Sequence, residues 1–510
     1  MNQERNASAT GEDPATGEDP AARLEVQPHE ADSEAVARSS RQTMVSQVVT
    51  QGVRFLTSIV LARLLTPNDF GVVAIALLLA ALIDHLRDLG MGAAIIQRRT
   101  VDQVLLNSVF YLNVAIGVLM AGGLLFFAEP LAAALGNRSA APVIQAFAGI
   151  TFITTLGQIH HSILRRRMQF RKIALVTAAS AVIMATTSVI GAVSGMDYWA
   201  LVLGAAVGAI AETIMLWSFD QWRPTRQVSF SSLASIWGFS WHSFLTNILY
   251  FSWSQIDKAI VGRFVGPAAL GIYTMGQRVV ATPVSAISSV IDEVTFSAFS
   301  RRQDEDAALR SGFTRSSAVI ALITFPLMAG AAAVATPIVA VVFGPQWSDL
   351  APVIQVLAPA AAIQSVTFNC GQLLMAKGRA DWSFRWGIVH LIVLAGLELF
   401  FVRWGAVGVA LGYAIGLTLI TPFTLLLAFH LIEMRLRDYF ANLFPYLWMT
   451  AAMTISVILM TWLCRSVGAS DLVELIAGVA TGMLVYGVLL RLIRPAALID
   501  ATQALLGRVK

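Results

Sequence analysis

Charge is scarce in this chain. Only 13% of its 510 residues are Asp, Glu, Lys or Arg, about half the share that a soluble domain carries. No long polar stretch interrupts the sequence from about residue 43 to about 493. A soluble chain of this length would divide into domains joined by polar linkers. The folded state therefore has lipid as its solvent. Cysteine is scarcer still. Cys370 and Cys464 each stand alone in an apolar run, with no CxxC and no histidine at ligand spacing, so neither a disulfide framework nor a metal site is expected. No GxxxxGK[ST] occurs, which removes an ATP-driven pump. An apolar signal-peptide core is also missing from residues 1–42. That segment holds the tandem repeat TGEDPATGEDPA, many acids and almost no large apolar residue. It cannot bury enough surface to offset chain entropy, so disorder is expected there.

What is present is a succession of apolar segments of about 20 residues, the length that spans a bilayer. Candidate spans lie near 43–65, 70–90, 104–128, 140–164, 172–195, 198–219, 233–264, 268–298, 313–335, 350–375, 384–403, 406–430, 443–464 and 471–491. Lysine and arginine test this map, because cytoplasmic connections collect them. With the N-terminus inside, the inner connections hold Arg98 and Arg99, the group Arg165, Arg166, Arg167, Arg171 and Lys172, then Arg223 and Arg226. Arg301, Arg302 and Arg310 follow, then Lys377 and Arg379, Arg435 and Arg437, and finally Arg494, Arg508 and Lys510. The outer connections hold only Arg138, Arg403 and Arg465. A miscounted helix would invert every later loop, and the bias never inverts. Both termini are therefore expected in the cytoplasm. The net charge of +4 reflects this topology, and no nucleic-acid partner is expected.

The sequence repeats itself at long range. IVLARLLTPNDFG (59–71) answers AIVGRFVGPAALG (259–271), with Arg63, Pro67 and Gly71 matched by Arg263, Pro267 and Gly271. APVIQ at 141–145 returns at 351–355, each copy preceded by a similar segment, PLAAALG (130–136) and PIVAVVFG (337–344). Six helices separate the copies, and an even number preserves direction across the membrane. The expected fold is an all-α integral membrane protein of about fourteen transmembrane helices: two parallel six-helix lobes related by a pseudo-twofold along the membrane normal, plus two C-terminal helices. The expected segments are a disordered cytoplasmic leader (1–42), an N-lobe (43–219), a cytoplasmic linker (220–232), a C-lobe (233–430), the last two helices (431–493) and a cytoplasmic tail (494–510).

The strings LARLLTPNDFGVVAIALLLAALIDHLRDLGMGAAIIQRR and IDKAIVGRFVGPAALGIYTMGQRV resemble the two lobes of polysaccharide-repeat-unit flippases. These belong to the multidrug/oligosaccharidyl-lipid/polysaccharide exporter superfamily, and the first string is similar to its colanic-acid and teichuronic-acid exporter branch. The resemblance covers about residues 40–490; the leader departs from the usual short N-terminus. It implies a bacterial cytoplasmic-membrane protein that moves undecaprenyl-diphosphate-linked oligosaccharide to the outer leaflet for lipopolysaccharide or exopolysaccharide synthesis. Implied partners are the lipid-linked substrate, membrane lipids, and a polysaccharide polymerase with its assembly proteins. No cofactor is implied beyond a coupling ion, H+ or Na+.

An ionisable side chain at mid-membrane costs roughly 2.5–3.5 kcal/mol on insertion scales, so each calls for a partner or a wet cavity. Arg54, Lys258 and Arg278 are the central cations. Guanidinium and ammonium groups can hold pyrophosphate oxygens, so these three are candidates for binding the headgroup; interhelical ion pairing or snorkelling is the other reading. Candidates for gating or ion coupling are Asp257, Asp292, Glu293, Glu212 and Glu398. Arg63 and Arg263 occupy equivalent places and are read as structural, by snorkelling or capping a helix end. Asp84, Arg87 and Asp88 share one helical face as an interfacial ion-pair group, and His160 and His161 sit beside an arginine run at a helix end. Pro283, Pro326, Pro359, Pro422 and Pro445 interrupt spans and can kink them. Trp199, Trp222, Trp347, Trp382 and Trp404 fall near span ends, as an aromatic belt requires.

Two other functions compete. A drug–cation antiporter of the same superfamily needs acidic rather than basic groups in its cavity. A membrane glycosyltransferase or polymerase needs carboxylates or histidines at an outer face. The first outer loop is only TPND, and no outer connection carries such a constellation, so an enzyme is not expected.

Overall fold

The computed structural model describes residues 23–24, 50–88, 91–98, 101–301 and 305–495. The leader and the tail beyond 495 fall outside these residues, apart from Arg23–Leu24, which pairs antiparallel with Val101–Asp102. The chain is a helical bundle. A first helix, α1, covers 50–64. It is followed by α2 (Pro67–Asp88), a short α3 (Met91–Gln97), α4 (Gln103–Ala134), α5 (Ala141–Arg166), α6 (Phe170–Val193) and α7 (Tyr198–Phe219). The second half opens with α8 (Phe230–Phe264), α9 (Pro267–Arg301), α10 (Asp306–Ala333) and a single turn, α11 (Ala335–Ile338). It continues with α12 (Leu350–Ala376), α13 (Ala380–Phe401) and α14 (Gly405–His430), and closes with α15 (Leu436–Ser466) and α16 (Asp471–Ile493). Ten stretches of the described residues are long and apolar enough to cross a membrane, and one of them, Asp381–His430, takes in both α13 and α14.

Local chemistry sets several boundaries. The TPND turn ends α1 and starts α2 through a capping box. Thr66 donates its N–H and its hydroxyl to Asp69 Oδ2, and the Asp69 N–H returns a bond to Thr66 Oγ1. Two orphan donors at the helix start are thereby satisfied. Pro130 lies inside α4, where it removes a backbone donor and crowds the preceding turn. Phe127, three residues earlier, leaves helical geometry (φ −101°, ψ 15°). The segment PLAAALG is therefore a kinked continuation of α4. Its repeat, PIVAVVFG, is likewise helical, as α11 and the π-helical turn Val339–Phe343.

The repeat is visible as packing. At the end of the bundle poor in arginine, α2 and α9 cross at their first turns. A Cβ built on Gly71 would lie 1.7 Å from the Pro267 carbonyl oxygen, and one on Gly271 would lie 1.9 Å from that of Pro67. Each glycine thus admits the other lobe's proline carbonyl. The hairpin segments exchange contacts in the same way. Trp347 Nε1 donates to the Ala62 carbonyl (2.8 Å) and Gln346 Nε2 to the same oxygen (3.0 Å). In the other direction Gly136, at φ +81°, approaches the carbonyls of Gly262 and Arg263 so closely that a Cβ would sit 2.8 Å from both.

The distribution of the core follows. The largest apolar cluster spans both lobes at this end, joining Leu61, Phe70, Val72 and Ile144 to Val261, Tyr273, Phe343 and Trp347. At the arginine-rich end the cores are separate. One, around Leu105, Phe110, Ile159 and Trp222, belongs to the N-lobe, with Leu233 from the start of α8 leaning on it. The other, around Phe313, Phe429 and Tyr439, belongs to α10, α14 and α15.

The connection between the lobes is bound to the N-lobe. Gln103 Nε2 donates to the Arg223 carbonyl (2.9 Å), Asn107 Nδ2 to Thr225 Oγ1 (2.6 Å), and the Thr225 N–H to Asn107 Oδ1 (3.0 Å). The Ser229 N–H donates to Ser108 Oγ (2.9 Å). The last two helices are joined by a bidentate pair, Arg465 to the buried Glu474 at 2.6–3.0 Å.

The tryptophans depart from a uniform belt. Trp199 and Trp404 are exposed, as a belt position requires, but Trp222 and Trp347 are buried in protein. Trp347 is 0% exposed because its ring fills the junction between lobes, against Phe70 and Phe343. Trp382 stacks under the Arg379 guanidinium at 4.0 Å. The prolines Pro283, Pro326, Pro359, Pro422 and Pro445 all lie inside helices.

Candidate functional site

Three cations come from three helices of both lobes. Arg54 lies in α1, ten residues before its end, or about 15 Å of helix. Arg278 lies eleven residues into α9, about 16 Å from the same end of the bundle. Lys258 is six residues from the end of α8, about 9 Å. Arg54 and Arg278 are exposed and Lys258 is half-buried. Arg278 is within electrostatic reach of both Arg54 and Lys258. The three thus lie within electrostatic reach of one another through Arg278, although they come from helices of both halves of the chain.

Lys258 and Asp257 are adjacent in sequence, and the helix turns their side chains apart. The Lys258 ammonium donates to Gln255 Oε1 (2.8 Å). The buried Asp257 points the other way, between α8 and α9. Its Oδ1 accepts the Lys258 backbone N–H (2.7 Å), and its Oδ2 accepts from Tyr273 Oη (2.9 Å) and from Gln277 Nε2. Glu398 of α13 is also fully buried, and neither of its carboxylate oxygens has a hydrogen-bond partner among the described residues. It is within electrostatic reach of Asp257 and Tyr273. Helix α14 closes on its backbone, since a Cβ on Gly412 would lie 2.8 Å from Glu398 Cα. Glu212 of α7 is half-buried and within reach of Arg54. The region thus holds a basic group of Arg54, Lys258 and Arg278, with Glu212 at one side and the Asp257–Glu398 carboxylates behind it in the C-lobe. The side chains of Asp88, Asp292 and Glu293 lie outside the described residues.

Arg63 and Arg263 match in position but differ in contacts. Arg63 reaches the opposite lobe, Nε donating to the Val342 carbonyl (2.8 Å) and Nη2 to that of Val341. Arg263 lies over the Phe264 ring at 5.5 Å. Arg87 is buried and pairs with Asp84 at 3.1 Å. It also donates to the Thr151 carbonyl and to the hydroxyls of Thr154 and Thr155, tying α2 to α5 within the N-lobe.

One group was not singled out in the sequence. Asp220, just after α7, accepts from His160 Nδ1 (3.0 Å) and from Arg167 Nη1 (2.9 Å), while His160 packs against Trp217 and Trp222. His160 is thus buried core, not interfacial. Burial of Asp220 favours its neutral form. The His160 and Trp222 hydrogen bonds and the Arg167 charge outweigh that and hold its carboxyl below the ordinary value of 3.8. The signal available in the sequence was the DQWR string (220–223) following a helix that ends in Trp217, Ser218 and Phe219. Nothing in spacing tied it to His160.

Comparison with known proteins identifies the family. The model of the family described as polysaccharide biosynthesis protein matches residues 60–352. The lipopolysaccharide biosynthesis protein WzxC of Escherichia coli (strain K12) is 26% identical over 392 residues, covering 74% of this chain and 78% of WzxC. The succinoglycan biosynthesis transport protein ExoT of Rhizobium meliloti (strain 1021) is 27% identical over 470 residues, 90% of this chain and 94% of ExoT. The teichuronic acid biosynthesis protein TuaB of Bacillus subtilis (strain 168) is 28% identical over 405 residues, 78% and 83% of the two chains. Among solved structures, the lipid II flippase MurJ in an inward closed conformation superposes with a TM-score of 0.70 at 12% identity, covering 88% of this chain and 98% of that one. An inward-facing multidrug resistance MATE transporter of the MOP superfamily superposes at 0.57 with 15% identity, covering 75% and 94%. At such identities the structural likeness establishes the fold. The family match extends over more than half of the sequence, and the chain belongs to the polysaccharide biosynthesis protein family.

Proposed function

We propose that this protein is a flippase that carries a lipid-linked oligosaccharide from the inner to the outer leaflet of a bacterial cytoplasmic membrane, supplying surface polysaccharide synthesis. The observation that carries the reading is that Arg54, Lys258 and Arg278, from α1, α8 and α9, lie within electrostatic reach of one another about 9 to 16 Å from one end of the bundle. Like charges gathered at low dielectric repel one another, and Glu212 and Asp257 offset only part of the excess. A compact polyanion such as a lipid diphosphate relieves that repulsion, with the guanidinium groups holding its oxygens. The lipid tail stays in the bilayer while the headgroup crosses between lobes. A drug cation would meet repulsion at the same place.

Transport then proceeds by alternating access. The shared core at the arginine-poor end and the separate cores at the arginine-rich end suit a state closed outward and open to the cytoplasm. Both termini lie on the cytoplasmic side, as the distribution of arginine requires. Glu398, with the neighbouring Asp257, is the group to carry a coupling ion, since a buried carboxylate with no hydrogen-bond partner among the described residues is costly unless it holds a proton or a cation. A polysaccharide polymerase would receive the product on the outer face.

The test is leaflet-resolved transport of a purified lipid-linked oligosaccharide by the reconstituted protein, with H+ and Na+ gradients imposed in turn. Accumulation in the opposite leaflet is expected, dependent on one of the gradients. Movement of organic cations with no movement of the glycolipid would overturn the reading.

A further inference from the structure

A second basic concavity lies apart from the inter-lobe site. At the arginine-rich end, a cavity of about 670 Å³ opens between the first turns of α10 and the start of α15. Its α10 wall carries Ser311, Thr314 and Ala318, spaced as one helical face. Small and hydroxyl-bearing side chains keep that wall low. Arg310 and Arg315 flank the wall, and Arg435 stands across from them. Asn442 bridges the two helices deeper in, donating Nδ2 to the Thr314 carbonyl (3.3 Å).

The cations differ in what holds them. Arg310 donates through Nη1 to the carbonyls of Ile432 (2.9 Å) and Glu433 (3.4 Å), closing the turn after α14. That turn needs the tie, because Glu433 holds a left-handed backbone (φ +50°). Arg310 is therefore a fixed charge beside the cavity. Arg315 of α10 and Arg435, the N-cap residue of α15, are exposed. Three arginines line the cavity against two acids, Glu433 and Asp438, and Asp438 also lies 3.8 Å from Arg437, so the mouth carries a positive balance.

Depth decides what such a cavity meets. Arg310 and Arg315 lie about 6 and 14 Å along α10 from its start. A helix of 28 residues runs about 42 Å, enough to cross both headgroup layers. The rim therefore falls at the level of inner-leaflet phosphates, a placement that rests on the orientation given in the preceding section. Guanidinium forks match phosphate oxygens, and basic pockets between membrane helices on the cytoplasmic side bind anionic headgroups.

We propose that this cavity binds the phosphate headgroup of an inner-leaflet lipid, outside the transport path. Two lipids offer that chemistry, a bulk anionic phospholipid and the lipid diphosphate that carries the glycan. The geometry favours the phospholipid, because Ser311 and Thr314 donate their hydroxyls to the Ala308 and Arg310 carbonyls and leave their oxygens to accept from the hydroxyls of a glycerol headgroup. Held there, the lipid would bridge α10 to α15 and so fasten the C-terminal helix pair to the C-lobe.

The experiment uses the full chain in nanodiscs of phosphatidylcholine, titrated separately with phosphatidylglycerol and with undecaprenyl diphosphate, with affinity read by native mass spectrometry. The variant Arg315→Gln/Arg435→Gln leaves Arg310 and its turn intact. Its fold is checked by melting in phosphatidylcholine alone. Phosphatidylglycerol should bind the double variant roughly thirtyfold more weakly, the loss expected for two basic groups at a membrane surface. Ser311→Trp, which fills the wall without removing charge, should weaken it as well. A matching loss for undecaprenyl diphosphate alone would keep the phosphate site and reassign its lipid. Unchanged affinity for both lipids in both variants would overturn the proposal. Binding is read without transport, so it stands or falls separately from the flippase reading.

Discussion

Gly71 and Gly271, 200 residues apart in sequence, are near neighbours: a Cβ on Gly271 would lie 3.0 Å from the Gly71 backbone nitrogen and 1.9 Å from the Pro67 carbonyl oxygen. The added atom cannot be absorbed, because its neighbours are backbone. Gly271→Ala should therefore force α2 and α9 apart at their first turns and destabilise the state in which the lobes share a core. Distances between spin labels on the 66 and 266 turns are the measure. A longer mean distance is expected, with reduced export. An unchanged distance distribution would show that this crossing does not hold the closed end.

The basic group makes a second prediction. Alanine at Arg54, Lys258 or Arg278 should each abolish glycan export while the protein still inserts and melts normally. Lysine at Arg54 or Arg278 should rescue in part, since it restores charge but not the guanidinium fork. Export in cells deleted for the endogenous transporter decides it. Full activity in all three alanine variants would remove the headgroup role.

Glu398→Gln keeps shape and removes the charge that a coupling ion needs. Gradient-driven transport should fall to the rate seen without a gradient, while binding of the glycolipid is retained. If the variant responds to imposed H+ or Na+ gradients as the parent does, the coupling ion is carried elsewhere.

Arg87 is predicted to act on stability alone. Arg87→Ala strips Asp84 of its pair and removes the guanidinium that donates to Thr151, Thr154 and Thr155. A hydrogen bond to a charged group contributes about 1.5–3 kcal/mol, while the half-exposed Asp84 is left solvated. A marked drop in the melting temperature of detergent-purified protein is expected. Normal stability with lost transport would instead assign Arg87 to the transport path.

Asp220 gives a pH dependence. Its carboxyl is held below 3.8 in the folded protein, so the folded state prefers the carboxylate more than the unfolded chain does. The stabilisation is complete above 3.8 and is lost as pH falls through the depressed value. The parent should therefore outlast Asp220→Asn at neutral pH, and the gap should close under acid. Melting curves of both proteins from pH 7 downward measure it; a constant gap would show that the His160 and Arg167 contacts contribute no linked stability.

Much of the fold was legible before any coordinates, for a simple reason. Lipid admits only backbone that satisfies itself, so apolar length alone marks helices. The observed α7 begins and ends at the expected 198 and 219, and α12 at 350 and 376 against an expected 350 and 375. Membrane sequences also mark direction through arginine, which made the parallel repeat readable from Arg63, Pro67 and Gly71 against Arg263, Pro267 and Gly271. The site was legible only as a set of misplaced charges. That Asp257 faces Tyr273 and Gln277 while Lys258 faces Gln255 follows from the position of α9 beside α8.

The sequence by itself determined that this protein spans a membrane, how its helices alternate, and that two halves repeat, because insertion energetics act on each segment separately. Only the tertiary structure decided which charges lie within reach of one another, that Arg63 ties the lobes while Arg263 lies over Phe264, and that Trp222 and Trp347 are core and not belt. Those outcomes depend on which helix faces lie together, and packing between helices in lipid turns on close fit and hydrogen bonds, which no single segment encodes.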